Sequence, residues 1–353
     1  MAVSALHSLL FAFLATCVVA APKHRRSCTG TISSLSDVSD AITCTTVNIE
    51  SFTVPAGMTF NLELATGTTV NMQGDVFFGN QTWDGPLFEI SGTDITFNGN
   101  GYTFNGNGPF YWDGLGGNGG VTKPAPMLNC GIAIDDEQVV QNVKVLNSPC
   151  RVYSVSNTGP LTMTDLTIDD SLGDEPNANS NGLPAGHNTD GFDVSTTGEL
   201  LIIENSTIMN QDDCLAINKG SNITFQGNIC SGGHGISIGS ITSDVTVSNI
   251  YVADNTITNS QQAIRIKTDA SATNSFVSNV TYVGNTASGI ADFGVIIDQS
   301  YPDTLGTPGT GVIISDVNFV DSETSITLDS SAEKVAVNCG SGSCTGMPSP
   351  PHA

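Results

Sequence analysis

Short runs in which apolar and polar residues alternate recur along the chain. Pairs of hydrophobics flanking one outward position fall at Phe192/Val194, Leu215/Ile217, Ile236/Ile238, Ile264/Ile266 and Val295/Ile297, at irregular steps. Period-two alternation marks half-buried strands, and its return at an uneven interval of this size marks the coil of a solenoid. Between these pairs lie further alternating runs, including Leu161-Thr162-Met163, Leu201-Ile202-Ile203, Ile223-Thr224-Phe225 and Val245-Thr246-Val247, each closed by a turn containing Asn, Asp or Gly. Each coil is therefore expected to hold several short strands joined by tight polar bends. A β-sandwich gives no reason for polar clusters to come back into register at such intervals. The 38 glycines, the abundant Asn, Ser and Thr, and the scarcity of Lys and Arg leave little material for long helices. The expected fold is all-β: a single-domain right-handed parallel β-helix of about ten coils. Ser34 to Thr43 is read as a short helix capping the open edge of the first coil.

Four polar clusters share that spacing: Asn188-Thr189-Asp190, Gln211-Asp212-Asp213, Gly233-His234-Gly235 and Arg265-Ile266-Lys267. Residues one coil apart stack at about 4.8 Å, so three carboxylates, an imidazole and two cations are expected in one surface groove. Alternation also sets their direction. With Ile264 and Ile266 inward, Arg265 and Lys267 face out on one strand; with Phe192 and Val194 inward, Asp193 faces out beside Asp190. Most acidic pairs are solvated turns, but adjacent carboxylates repel and their confinement to a groove points to a task. Glycines on both sides of His234 let backbone approach a ligand closely. Two carboxyls of unlike protonation, one to protonate a leaving oxygen and one to handle water, are what glycosidic hydrolysis needs.

These segments resemble the polygalacturonases of glycoside hydrolase family 28. The resemblance rests on Asn188-Thr189-Asp190-Gly191-Phe192-Asp193, Gln211-Asp212-Asp213-Cys214, Gly232-Gly233-His234-Gly235 and Arg265-Ile266-Lys267, in that order. Tyr111-Trp112-Asp113-Gly114 and Asp292-Phe293-Gly294-Val295-Ile296-Ile297 leading to Tyr301 support it. It implies a secreted endo-acting hydrolase of the α-1,4 bonds of homogalacturonan, with inversion of configuration. In that reading Asp212 is the general acid, Asp190 and Asp213 hold and deprotonate water, and His234 adjusts the acid. Arg265, Lys267, Tyr301 and Asn188 bind substrate. The resemblance also implies disulfides Cys28–Cys44, Cys214–Cys230 and Cys339–Cys344. Cys130–Cys150 is added from their separation along the sequence, which is close to one coil. Exo-acting and rhamnogalacturonan-cleaving hydrolases remain alternatives, as does a pectin-binding solenoid without catalysis. A calcium-dependent lyase would need an acid cluster committed to metal. No cofactor or metal is expected, since the cysteines lack CxxC spacing and no histidine cluster accompanies them.

The first residues carry an apolar core, Leu9 to Ala15, followed by Val18-Val19-Ala20-Ala21. It is too short to span a bilayer and reads as a signal peptide over 1–20, although Lys and Arg are lacking before it. Residues 21–26 end in the dibasic Arg25-Arg26 and read as a propeptide, leaving 27–353 as the catalytic domain of a secreted, extracellular protein. That mature chain has seven basic residues against 34 acidic ones, a net charge of −27, which argues against nucleic acid or anionic membrane as partners. Lys219, Arg265 and Lys267 are three of the seven cations and are the expected anchors for polygalacturonate; a monomer is expected. Loss of Cys17 with the signal leaves eight cysteines, an even number suited to an oxidising compartment. Asn80, Asn205, Asn222 and Asn279 begin glycosylation sequons. After Cys344 the chain ends in a Pro-rich tail where members of the resembled family continue, so a shortened C-terminal cap and an exposed sheet edge are expected.

Overall fold

The computed structural model describes residues 26–132, 138–319 and 324–346. The expected signal peptide, residues 21–25 and the tail from Met347 lie outside them. Among the described residues every ladder is parallel, and the chain winds as a right-handed parallel β-helix. One face is a ten-stranded sheet running from Phe52–Val54 to Ser325–Leu328, one strand per coil. The other two faces form a 21-stranded assembly, joined where Leu215–Gln226 passes from one to the other. The capping segment forms as a 3-10 turn, Leu35–Asp37, and a helical turn, Val38–Ala41. It lies so close to the first strand that a Cβ on Gly30 would sit 2.5 Å from Ala41 Cα, which is why glycine occupies that position.

The hydrophobic steps are the coil lengths. Phe192, Leu215, Ile236, Ile264 and Val295 are register partners in succession, and the row continues backwards through Tyr153, Leu128, Phe88 and Phe60. These side chains point inward and stack, with Tyr153 and Phe192 rings parallel at 5.2 Å. At one corner the chain turns on a single left-handed residue, Asn142, Asp165, Asn205, Gly227, Asp254 or Gly284. Asn, Asp and Gly tolerate that conformation best. At the next position Asn228, Asn255 and Asn285 are buried as an amide ladder. Asn255 donates to Phe225 O at 2.9 Å and to Asn285 Oδ1 at 2.9 Å, so the bend leaves its polar groups partnered.

Cys28–Cys44, Cys214–Cys230 and Cys339–Cys344 are disulfide-bonded. The expected Cys130–Cys150 bridge is not formed, and both thiols are free and buried. The coil that starts at Cys130 closes at Val155, its register partner, and so overshoots Cys150. Cys130 packs in the core, whereas Cys150 lies ahead of the strand, with Sγ donating to Asn188 O at 3.3 Å. All four sequon asparagines are exposed. No helix among the described residues is long and apolar enough to cross a membrane.

Candidate active site

Two residues ahead of the inward Tyr153, Phe192, Leu215 and Ile236 stand Arg151, Asp190, Asp213 and His234, corresponding places on four successive coils. The strand positions between the inward pairs supply the adjoining row: Asp193, Ala216, Ser237, Arg265. All of these but the buried Ser237 line an open cleft of about 480 Å³, along with Asn118, Asn188, Asp212, Asn218, Lys267 and Tyr301. Ala216 and Ser237 are small, so the Arg265 side chain can lie back across them. Its Nε donates to Ser237 Oγ at 3.1 Å and its Nη2 to Asp213 Oδ1 at 2.5 Å.

Asp213 is almost fully buried. Its Oδ1 also accepts from Ser237 Oγ at 2.7 Å, and its Oδ2 accepts from Lys267 Nζ at 2.8 Å. The two cations expected to meet substrate thus already hold Asp213, while Lys267 also stands over the Tyr301 ring, 5.3 Å from its centre. Tyr301 is presented by a turn organised around Asp298, whose oxygens accept from Ser300 N at 3.0 Å and Leu305 N at 2.7 Å.

Asp212 faces the cleft differently. Its Oδ1 is 3.0 Å from His234 Nδ1 and accepts from Asp213 N at 2.7 Å; its Oδ2 accepts from Asn188 Nδ2 at 2.9 Å. Asn188 Oδ1 in turn accepts from Gly117 N at 3.1 Å, so both ends of that amide are engaged in tying a neighbouring loop to the acid. Burial pushes Asp212 up, but the hydrogen bond and charge of His234, aided by Lys267 and the Asp213 N–H, outweigh it and hold this carboxyl well below the usual range. Asp190 goes the other way. Burial first, then the charges of Asp212, Asp193 and Asp213, raise it well above the ordinary carboxylate value, with Lys267 opposing. Of the two acids Asp190 is therefore the one that holds its proton to higher pH, and Asp212 the one that ionises first.

Asp193 is raised from 3.8 to about 6, by burial foremost, with Arg151 opposing and Asp213 and Asp212 adding to the rise. A carboxyl whose folded value is raised holds its proton better folded than unfolded. Its stabilisation is complete below about pH 4 and is lost as pH rises towards 6. Asp190 adds in the same direction, whereas Asp212, being lowered, costs stability only as pH falls below the ordinary carboxylate value. Thermal unfolding followed across pH should therefore give a lower Tm at pH 7 than at pH 4.5. Asp193→Asn should flatten that slope by at most about 3 kcal/mol; an unchanged slope would refute the raised Asp193.

Asp212, Asp213 and His234 each offer one ligand atom within 4.8 Å of the others. Both Asp213 oxygens are ion-paired and the imidazole faces Asp212, so this donor set is committed to its own cations and does not suit a metal. The cations are distributed otherwise than the sequence suggests. Lys219 is exposed and does not line the cleft, because a register shift after Val194 pairs it with Ser195. Arg151 does line it, with Nε 3.7 Å from Asp193 Oδ2.

A parallel β-helix bearing one raised and one lowered acid beside paired cations has the makings of a glycan-cleaving solenoid. The chain belongs to glycosyl hydrolases family 28, whose model matches residues 44–349. It is 43% identical over 329 residues to endopolygalacturonase I of Aspergillus aculeatus, covering 91% of this chain and 83% of that one. It is 42% identical over 352 residues to a probable endopolygalacturonase A of Neosartorya fischeri, covering 96% and 91%. A crystal structure of endopolygalacturonase I from Stereum purpureum, complexed with two galacturonates, superposes with a TM-score of 0.83 at 46% identity, covering 90% and 91% of the two chains. The endo-xylogalacturonan hydrolase of Aspergillus tubingensis, at 21% identity and a TM-score of 0.65, shares the fold and covers 91% of this chain and 96% of that one.

Proposed function

We propose that this chain is a secreted endo-polygalacturonase that hydrolyses α-1,4-galacturonosidic bonds of homogalacturonan, acting as a monomer. The observation that carries the reading is the juxtaposition of unlike acids, Asp190 and Asp212, with Arg265 and Lys267 in one open cleft. An open groove admits the interior of a polymer, and the cations counter the repulsion between a polyanion and this acidic chain over the roughly 8–10 Å that salt allows. Tyr301 offers a ring face to the sugar. The signal-like N-terminus and three disulfides support export.

Asp212 is the general acid and Asp190, with Asp213, the group that orients and deprotonates water. The protonation of the free protein differs from this by one proton, and the pairings supply a route for its redistribution. His234 Nδ1 stands 3.0 Å from Asp212 Oδ1, within reach of proton exchange with it. When a sugar covers the site and removes water, burial, the largest influence on Asp212, weighs further against its ionised form. The proton then resides on Asp212, aimed at the leaving oxygen. The proton that Asp212 takes up is matched by the one that Asp190 gives up, since loss of the Asp212 charge removes one of the causes that raise Asp190, and the ionised Asp190 then activates water. This coupling supports opposite roles for the two acids.

Purified protein incubated with de-esterified polygalacturonate and a chelator should generate reducing ends, with a rapid fall in viscosity and no rise in ultraviolet absorbance. Absorbing products formed only when the chelator is left out would instead mark metal-dependent elimination. A slow viscosity loss relative to reducing ends would mark exo action.

A further inference from the structure

One cation of the cleft has no task in the mechanism above. Arg151 lines the cleft at the end opposite Arg265 and Lys267, with Asp190, Asp213 and His234 on the three coils between. Four coil steps at the inter-strand spacing separate the Arg151 and Arg265 backbones by about 19 Å. Its side chain is 47% exposed, and its ion pair with Asp193 is a loose 3.7 Å contact from Nε. That contact uses Nε, and the half-exposed side chain lines the cleft. Besides Asp190 and Asp193 the cleft lining includes Asn118 and His187, whose Nδ2 and Nε2 are 3.4 Å apart. On the adjoining row, which runs back from Asp193 through Ser154, the floor becomes Asn129 and then Glu89, joined by a 3.4 Å hydrogen bond.

Resting on the endo-polygalacturonase reading, we infer that Arg151 is a carboxylate-binding residue for a galacturonate on the far side of the acids from Arg265 and Lys267. With it, the cleft holds substrate carboxylates on both sides of the bond to be cut. The planar fork suits a carboxylate in two-point contact. A charged galacturonate is therefore selected over its methyl ester at this position, and beyond Arg151 the next ionisable group on the adjoining row is the acid Glu89.

The test compares wild type, Arg151→Gln, Arg151→Lys and the double variant Arg151→Gln/Asp193→Asn on polygalacturonates of increasing methyl-ester content, with Tm recorded for each. Arg151→Gln should raise KM on de-esterified substrate by about tenfold, equivalent to one lost charged contact, with kcat within about twofold. The KM ratio of variant to wild type should fall towards one as ester content rises, and Arg151→Lys should recover part of the loss. The double variant should keep the raised KM. Recovery of KM in the double variant would show that Arg151 only neutralises Asp193 and would overturn the inference, as would an equal effect at every ester content or none. Wild type that fails to cut polygalacturonate would overturn the hydrolase reading itself, a result distinct from a normal wild type with an unaffected variant.

Discussion

Asp212→Asn is expected to lower kcat on polygalacturonate by about 10²–10⁴-fold, the range for removing a positioned general acid, with KM little changed and the fold intact. The amide can still accept from Asp213 N and keeps the volume between His234 and Asn188, whose contacts with Asp212 are 3.0 and 2.9 Å. What it cannot do is deliver a proton. An oligogalacturonide carrying an aryl leaving group that departs without protonation should therefore restore most of the rate to Asp212→Asn. The same substrate should leave Asp190→Asn as slow as before, since activating water is needed whatever the leaving group. Asp190 is raised and Asp212 lowered in the free protein, so this pair of variants separates two assignments. If Asp190→Asn is the one rescued, the acid is Asp190 and the proton redistribution through His234 does not occur. Changes in kcat are compared at the pH optimum of each variant, because either substitution alters the charge that the other acid feels.

Much of this arrangement is legible in the sequence because a solenoid converts linear spacing into proximity. The steps from Phe192 to Leu215, Ile236, Ile264 and Val295 are coil lengths, so four clusters far apart in sequence fall beside one another. Alternation correctly turns Arg265 and Lys267 outward, since it depends only on the pleat. Expectation and structure part where the period breaks. The coil before Phe192 starts at Tyr153 and is lengthened by an excursion that includes the 3-10 turn Ser171–Gly173. Arg151 therefore does not look periodic with Asp190, although extending the inward row back to Tyr153 and Val155 would place it. Cys130 and Cys150 fail for a related reason, since the coil from Cys130 returns at Val155. Lys219 is carried away from the cleft by a local register shift beside Ser195, which alternation cannot foresee. Partnership is less legible than position. That Arg265 reaches back over Ser237 and Ala216 to Asp213 depends on those two side chains being small, and nothing in one coil's sequence announces what the next coil must leave empty. Asp298 shows the same limit: it reads as another surface acid until the turn bearing Tyr301 is seen to hang from its oxygens.

Arg265→Leu is expected to damage both stability and activity, and the two losses can be separated. Asp213 is 1% exposed and divides its oxygens between Arg265 and Lys267. Removing the guanidinium leaves Oδ1 with only Ser237 Oγ, at 2.7 Å, so a buried carboxylate loses half of its counter-charge. The cost should be roughly 3 kcal/mol, the low end for breaking a buried ion pair, because Lys267 remains. Denaturant unfolding should show it as a lower midpoint at unchanged slope. Turnover should fall further than instability explains, with kcat/KM on polygalacturonate reduced by about 10²-fold or more as the substrate loses a carboxylate partner and Asp213 its fixed orientation. The double variant Arg265→Leu/Asp213→Asn discriminates between the causes: without the buried charge, much of the midpoint should return, while turnover stays lost because neither the cation nor the carboxylate is present. A midpoint that does not recover would mean that Arg265 stabilises the coil by packing its stem over Ser237 and Ala216, not by holding Asp213, and the electrostatic account of the cleft would have to be rebuilt around Lys267 alone.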